Sequence, residues 1–569
     1  MSESAENFWV YPENHPVLLQ KIIREFHIHP VTAQLLLSRG FVQMEEIHAF
    51  LYAKLPQLHP PSLLPDIDKA VKRILEALKG RETVLVYADN DVDGMSGAAL
   101  LSNFLEKIGI SVIYHIPNQH CLEKHPVEEA FAFAKARGCS LIITVDCSLS
   151  HPEGSFGPDL IITDHHEPTK FPTRALAELN PKLIESTYPN INLTGVGVAF
   201  KFAHAILNAL TDLGALFSNR IDLKEFLDFV ALGTIADMGP LLEENRILVR
   251  YGLELLKQSP RIGLRRLFEE TRLDMQELSP MDISLKIAPK LNSLGRIAYP
   301  EKGVQLLLTT DPKEAEALVE EIHRSNTQRQ KMEKKITEDV EALLEKEPQI
   351  LEEKAIVLCS QRWHPGIIPI IASKIARKYN RPTMVISLKK GWGKGSVRTI
   401  EKFPIMPVLK KHGHLFQNFG GHDFAAGFTI EEKQIARLHE YFVEEANKAL
   451  GKEDLLKKIY LDSRIDFEDI TFDFMESINL LKPFGHANRE PLFYTQVVQY
   501  RPPKIIGKTT HIKMYLEQKK HRLEGIGFFM ATRKEALQRK KEPFTIVFTP
   551  KINQFYNKPM IQLHVRDFS

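Results

Sequence analysis

Between residues 83 and 240 the chain repeats one pattern, a short continuous apolar run followed by an amphipathic stretch, and this constrains its fold more than any other feature. The runs are TVLVY at 83–87, SVIYHI at 111–116, LIITV at 141–145 and DLIIT at 159–163. Strands with one face in solvent alternate apolar and polar residues. These do not, so both of their faces are expected to be covered. The intervening GAALLSNFLEKIG and VEEAFAFAKARG have helical composition and stop at glycine, which supplies the covering layers. The pattern predicts an α/β fold on a mostly parallel sheet, in which ligands bind just beyond the carboxyl ends of the strands.

Those ends carry residues foreign to an apolar core. VYADNDVDG places Asp89, Asp91 and Asp93 after the first run, TVDCS places Asp146, IITDHHEP places Asp164, His165 and His166, and VALGTIADMGP places Asp237. Taken alone, Asp146 or Asp237 reads as a helix cap, and DNDVDG as a solvated turn or a calcium loop. An EF-hand needs further oxygen ligands and a closing Glu, whereas MSGAAL follows Gly94. The conjunction carries the signal, because carboxylates and imidazoles converging on one cleft need cations to offset their repulsion. That donor set suits Mg²⁺ or Mn²⁺ better than a thiolate-rich site. Cys147, beside Asp146, reads as a packing residue.

At 569 residues the chain is too long for a single core. Residues 1–60 read as an N-terminal helical extension ending in the linker HPPSLLP, and 61–250 as the α/β domain. Residues 251–345 read as a helical connector that includes one long helix or two abutting ones after Pro312. KAIVLCS, IIPIIASKIARKY and TMVISL restore α/β character over 346–455, and 456–569 is β-rich, with the turn spacing of a small barrel. The second lobe is thus joined to the first by a long helix. Lys plus Arg number 74 against 72 Asp plus Glu, so net charge gives no argument for a polyanionic partner, which would have to find a local groove. Four scattered cysteines fit a reducing compartment. The start MSESAENFWVYPENHP lacks a secretory pattern, and no run approaches the roughly 20 apolar residues of a membrane span, so a cytoplasmic protein is expected.

YADNDVDG, TVDCS, TDHH and ALGTIADMGP together closely resemble the signature segments of the DHH phosphoesterase superfamily. Within it the chain is similar to the bacterial RecJ family of single-stranded-DNA-specific 5′-to-3′ exonucleases. The similarity runs on through LTGVGVAF, APKLNSLGRI, RWHPGIIPIIASKIARKYNRP, GKGSVRT, FGGHDFAAGF and LLKPFGHANREPLF, in the expected order over most of the chain. The resemblance implies a DHH-type catalytic domain over 61–250, a DHHA1-type substrate-binding domain over 346–455 and an OB-like nucleic-acid-binding domain over 456–569. It also implies two divalent ions, Mn²⁺ or Mg²⁺. Asp91, Asp93, Asp146, His165 and Asp237 become the metal-ligand candidates, with Asp89 and His166 joining or supporting them and His165 or His166 orienting water or relaying a proton. Related phosphoesterases often have a histidine four residues before the first Asp of the metal-binding pair, where this chain has Tyr87.

GWGKGSVRTI combines glycines, whose N–H groups can approach an anion, with an arginine able to grip phosphate through two bonds, although an ordinary β-turn would look similar. The resemblance implies that Ser396 and Arg398 hold the terminal 5′ phosphate, that His422 binds substrate, and that Asn292 and Arg296 reach nucleic-acid phosphate. In the terminal domain Lys508 and Lys513 flank a basic hairpin suited to DNA. The expected activity is removal of 5′-mononucleotides from single-stranded DNA during recombination and repair. The expected partners are a helicase and single-strand-binding protein, with the enzyme a monomer. Two alternatives stand beside it, a phosphodiesterase for short oligonucleotides or cyclic dinucleotides and a single-strand-binding scaffold that has lost cleavage.

Overall fold

The computed structural model describes residues 7–117, 126–152, 157–168, 172–215, 220–258, 261–507, 509–540, 542–553 and 559–569. The chain forms two compact units, one from residues 1–54 with 457–569 and one from 55–456. The first described element is a short strand, β1 (Phe8–Val10), followed by helices Pro16–Phe26, Pro30–Ser38 and Met44–Tyr52. Proline opens the first two of these helices, where its missing N–H costs nothing.

In the larger unit, β2 (Thr83–Ala88), β3 (Ser111–His115), β4 (Leu141–Val145), β5 (Asp159–Thr163) and β6 (Ala177–Leu179) form an all-parallel sheet in the order β3-β2-β4-β5-β6. One face is covered by helices Val92–Lys107 and Gly195–Asp212, with Ile143 and Val145 packing near Leu101, Phe104 and Phe202. The other face buries Leu85, Ile142 and Ile162 against Phe131 and Ala134. Because β2 lies between β3 and β4, the strand order reverses there, and a crevice opens beyond the carboxyl ends of β2 and β4. The strand ends are also level. Asp89 N–H donates to Val145 O (3.2 Å), Asp146 N–H to Thr163 O (2.9 Å) and Asp164 N–H to Leu179 O (3.1 Å), which continues the ladder across four strand ends.

Helix Pro312–Lys346 is a single 35-residue element, opened by the Asp311 side chain accepting from Lys313 N–H. Leu318, Val319 and Ile322 belong to the core of the first lobe, whereas Ile336, Val340 and Leu344 belong to that of the second. The helix is therefore a shared part of both cores rather than a free connector. The second sheet, β7 (Ile356–Ser360), β8 (Thr383–Lys389), β9 (Trp392–Arg398), β10 (Phe416–His422) and β11 (Ala425–Glu431), runs β10-β11-β9-β8-β7 and is parallel only between β7 and β8. Met384, Val397, Ala426 and Phe428 bury one face with Leu438 and Phe442. Alternation sends Ser396, Arg398 and His422 to the other face.

In the smaller unit β12 (Lys458–Tyr460) pairs in parallel with β1. Beyond it lie β13 (Ser463–Arg464), β14 (Phe493–Ile506), β15 (His511–Gln518), β16 (His521–Gly527), β17 (Phe544–Asn553) and β18 (Met560–Phe568), in the order β13-β14-β15-β16-β18-β17. Pairing of β14 with β17 closes the barrel. Residues 1–54 depart from the expectation of a separate extension. Trp9 Nε1 and Asn7 Nδ2 both donate to Asp567 Oδ2 at 2.9 Å, and Ser38 Oγ donates to Asp462 Oδ1, so this segment is part of the barrel unit. Among the described residues no helix is long and apolar enough to cross a membrane.

Candidate metal centre

Three groups of side chains each offer ligand atoms within 4.8 Å of one another: Asp89, Asp91 and Asp146; Asp93, His165 and Asp237; and Asp146, His165 and His166. Asp146 and His165 each belong to two groups, so the seven residues form one continuous cluster. The level strand ends bring them together, since Asp89 follows β2, Asp146 follows β4, and His165 and His166 follow β5. Asp237 caps helix Leu227–Ala236, which is buried almost throughout and packs on helices Val92–Lys107 and Gly195–Asp212. His165 Nε2 lies 3.0 Å from Asp146 Oδ1, 3.8 Å from Asp237 Oδ2 and 4.0 Å from Asp93 Oδ2. Asp146 Oδ1 is nonetheless buried without a hydrogen bond, an arrangement costly for an anionic oxygen unless a cation meets it.

The backbone is built around this cluster. Asp146 has φ of 60°, in the left-handed region that non-glycine residues seldom adopt. Gly195 allows close approach, because a Cβ there would lie 2.6 Å from Asp146 Cβ, and a Cβ at Gly233 would lie 2.6 Å from Asp93 Oδ1. Asp93 is further held by Gly195 N–H (2.7 Å) and Val196 N–H (3.1 Å), at the start of helix Gly195–Asp212. Asp91 caps helix Val92–Lys107 through Oδ1, which accepts from Asp93 and Gly94 N–H. Asp91 and Asp93 thus combine capping with a place in the cluster.

Burial, reinforced by neighbouring carboxylates, pushes Asp93 and Asp146 well above the usual carboxylate range. The same two causes raise Asp89 and Asp237 to about 7. Burial and the charge of His166 lower His165 to about 3, leaving a neutral imidazole suited to coordination. Burial opposes the charge of His166, but its hydrogen bond and attraction to Asp164 prevail and raise it to about 9. Asp164 lies outside the three groups and is fully engaged elsewhere. Its Oδ1 accepts from His165 N–H, His166 N–H and His166 Nδ1 (2.7 Å), and its Oδ2 accepts from Ser148. Burial opposes ionisation of Asp164 too, yet the His166 interactions hold it below the ordinary value. Such a carboxylate fixes the orientation of a neighbouring imidazole. Tyr87, also outside the groups, is buried, and burial followed by nearby thiol and carboxylate charges raises its phenol.

Opposite the acidic cluster, His422 stacks on His166 with ring centroids 5.3 Å apart and planes 18° apart. Arg398 donates to Ser396 Oγ (3.0 Å) and Val397 O, and Arg296 donates to Gly366 O (3.1 Å). Burial and then the charge of Arg296 lower Arg398 to about 10, so two guanidinium groups share a poorly solvated space. Asn292 uses Oδ1 to accept from Val92 N–H (3.0 Å), which ties its helix to the start of Val92–Lys107. Lys513 belongs to the barrel unit and is ion-paired with Glu524 at 2.8 Å, while Lys508 lies outside the described residues.

Sequence reasoning missed Asn180, which is 1% exposed, donates to His166 O and accepts from Lys182 N–H, both at 2.9 Å. It also missed Lys182, whose charge reaches His165, Asp237 and His422. The available signal was the NPK that follows β6.

Family models match three stretches: the DHH family N-terminal domain at 83–234, the DHHA1 domain at 352–450 and the RecJ OB domain at 461–567. The single-stranded-DNA-specific exonuclease RecJ of Bacillus subtilis is 35% identical over 557 residues, covering 96% of this chain and 69% of that one. That of Haemophilus influenzae is 30% identical over 562 residues, covering 94% and 96%. The crystal structure of Thermus thermophilus RecJ in complex with Mn²⁺ superposes with a TM-score of 0.80 at 27% identity, covering 99% of this chain and 79% of that one. The corresponding Mg²⁺ complex gives 0.75 at 26% identity, covering 99% and 78%. With a closed barrel, two α/β lobes and an acidic cluster at level strand ends, and with relatives that match along nearly its whole length, this chain belongs to the RecJ family of the DHH phosphoesterases.

Proposed function

We propose that the protein hydrolyses single-stranded DNA from its 5′ end in a reaction dependent on two divalent ions, Mn²⁺ or Mg²⁺, and releases 5′-mononucleotides. The carrying observation is the buried cluster of Asp89, Asp91, Asp93, Asp146, His165, His166 and Asp237, with Asp146 Oδ1 left without a hydrogen bond. Asp89, Asp91 and Asp146 would hold one ion, and Asp93, His165 and Asp237 the other, with His166 adjoining the first set through Asp146 and the second through His165. When bound, such ions neutralise phosphate charge, activate water and stabilise the departing oxygen.

The rest falls to this chain's own side chains. Asp164 fixes His166 through Nδ1 and leaves Nε2 for the cleft. Arg296, Arg398 and Ser396 grip the terminal 5′ phosphate, where the mutual repulsion of the two guanidinium groups is relieved by an anion. Contact with that phosphate sets polarity, since only a 5′ end presents it. His422, from the second lobe, borders the reacting phosphodiester through its stack on His166.

The same reading places the protein in the cytoplasm, acting as a monomer in recombination and repair, with a helicase supplying strands and single-strand-binding protein recruiting it. The test is a time course on end-labelled single-stranded DNA with each metal, beside duplex, RNA and dinucleotide substrates. Metal-dependent release of mononucleotides from the 5′ end is expected. Catalytic efficiency on a dinucleotide equal to or above that on the long strand would reject a polymer exonuclease, and strand binding without hydrolysis in either metal would favour a scaffold.

A further inference from the structure

The hairpin that carries His422 ends in a residue that neither the core nor the turn explains. β10 and β11 are joined by two residues, Asp423 and Phe424, since His422 pairs with Ala425. Phe416, Phe419 and Phe428 of the same hairpin pack in or against the core of the second lobe, whereas Phe424 is 56% exposed. Aspartate is a common turn former, and phenylalanine is not. The tip is nevertheless fixed. Asp423 O accepts from Ile405 N–H at 2.8 Å and Phe424 O from Thr399 N–H at 3.2 Å, which ties the turn to the residue that follows Arg398.

A single exposed phenylalanine is ordinary on a protein surface, but the position of this one is not. Register places two rows of residues on the sheet face that points away from the lobe's core: His422, Ala425 and Arg398 in one, and Gly420, Gly427 and Ser396 in the other. Arg398 and Ser396 stand on β9 and His422 on β10, so β11 separates them by two strand spacings, roughly 10 Å. The floor between them is nearly free of side chains. Among the described residues a Cβ at Gly420 would meet nothing within 4 Å and one at Gly427 only Gly395 O at 3.8 Å, so packing requires neither glycine. Phe424 closes the rim of this floor, next to Ala425, the cross-strand partner of Arg398. Trp392, also exposed, stands at the opposite end of β9.

We propose that Phe424 stacks on the base of the 5′-terminal nucleotide and so holds that nucleotide in place for cleavage. The inference rests on the proposed activity, in which Arg398 and Ser396 grip the 5′ phosphate and His422 borders the phosphodiester that breaks. A single nucleoside lies between those two phosphates. With its backbone fixed at both ends, its base is the part left to project toward the rim, where a phenyl face meets it. Every base offers such a face, so the contact is indifferent to sequence, as required of an enzyme that brings a new base to the same place after each cut.

The test follows release of the first nucleotide by the full chain with Mn²⁺ from two 5′-phosphorylated single strands that differ only at their first position, thymidine in one and an abasic tetrahydrofuran residue in the other. The wild-type protein is expected to favour the thymidine strand by at least about fivefold in kcat/KM. In Phe424→Ala that ratio should fall to about one, and in Phe424→Trp it should be kept or raised. A merely structural role of the hairpin would lower both rates together and leave the ratio where it was. Phe424→Leu, which keeps apolar bulk at the tip without a π-face, should lose the ratio as well and carries the test if the alanine variant is unstable. A wild-type preference that is absent, a ratio unchanged in Phe424→Ala or Phe424→Leu, or one lost equally in Phe424→Trp would overturn the stack and leave the proposed activity standing. A wild-type protein that releases no 5′ nucleotide from either strand with Mn²⁺ or Mg²⁺ would overturn the proposed activity and the stack with it.

Discussion

Adding one methyl group at Gly195 should disable catalysis while leaving the fold intact. Gly195 opens helix Gly195–Asp212, and at such a position Gly→Ala ordinarily stabilises by about 0.5–1 kcal/mol through helix propensity. The new Cβ would lie 2.6 Å from Asp146 Cβ and 2.8 Å from its Cγ and Oδ1, against the roughly 3.4 Å at which ordinary contact begins. Either the Asp146 carboxylate or the start of the helix must move by about 0.8 Å. The helix cannot easily yield, because Gly195 and Val196 N–H hold Asp93. In the proposed reading Asp146 holds an ion, and moving it by that distance exceeds the ~0.5 Å tolerance of a catalytic constellation, where misplacement near 1 Å costs about 100-fold in rate. Gly195→Ala should therefore lose about 100-fold in kcat/KM on single-stranded DNA with Mn²⁺ and need more Mn²⁺ for half-maximal rate, with its thermal midpoint within a few degrees of wild type. Gly197→Ala is the control. It changes propensity in the same helix, but its Cβ would come closer than 3.4 Å only to the end of the Leu193 side chain, at 3.2 Å, and to no residue of the acidic cluster, so activity should be retained. Full turnover by Gly195→Ala, or equal losses in both variants, would refute the reasoning.

Arg398→Lys should reduce the preference for 5′-phosphorylated over 5′-hydroxyl strands by about tenfold or more, since a point charge replaces a planar fork; competition between the two substrates measures it. Lys201 and Glu244 are 0% and 2% exposed and paired at 2.6 Å, with Tyr188 OH also donating to Glu244, so Lys201→Met should cost about 3–5 kcal/mol in urea unfolding by stranding a buried carboxylate. Replacing Glu244 as well with an apolar residue should recover much of that loss. His115 offers a pH test: burial opposes its charge, but hydrogen bonds to Glu129 and Glu301 raise it to about 9. A raised folded pKa contributes stability that is complete below the unfolded value near 6.5 and is lost as pH climbs through about 9. Stability should therefore fall by up to about 3 kcal/mol across that window, and His115→Asn should flatten the decline in calorimetry; an unchanged slope would remove His115 as its cause.

Much of the metal centre was legible because each participant ends an apolar strand or caps a helix, and polar groups there seldom arise by default. What the local pattern could not distinguish was role. Asp89, Asp146 and Asp164 stand in equivalent places after β2, β4 and β5, yet Asp164 alone is taken up by His166, two backbone N–H groups and Ser148. Asn292, expected from the resemblance to reach phosphate, accepts from Val92 N–H through Oδ1, a support that its spacing in the sequence does not reveal. Asn180 and Lys182 escaped notice because their strand, β6, spans only three residues and its end resembles a common turn. The grouping of residues 1–54 with the barrel was equally hidden, since β1 meets β12 across more than 400 residues of sequence, and hydropathy has no term for such distance.

The sequence by itself determined which segments are doubly covered strands, which are helices, and which strand ends carry acid or imidazole, because those properties depend on burial period and residue chemistry within a few residues. Only the tertiary structure decided that β2, β4 and β5 lie side by side with level ends, that His422 comes across to stack on His166, and that Arg296 lies near both Arg398 and Asp91. The physical reason is that ligand geometry depends on strand order and register, which are set by how whole layers pack and leave no trace in the spacing of any one segment.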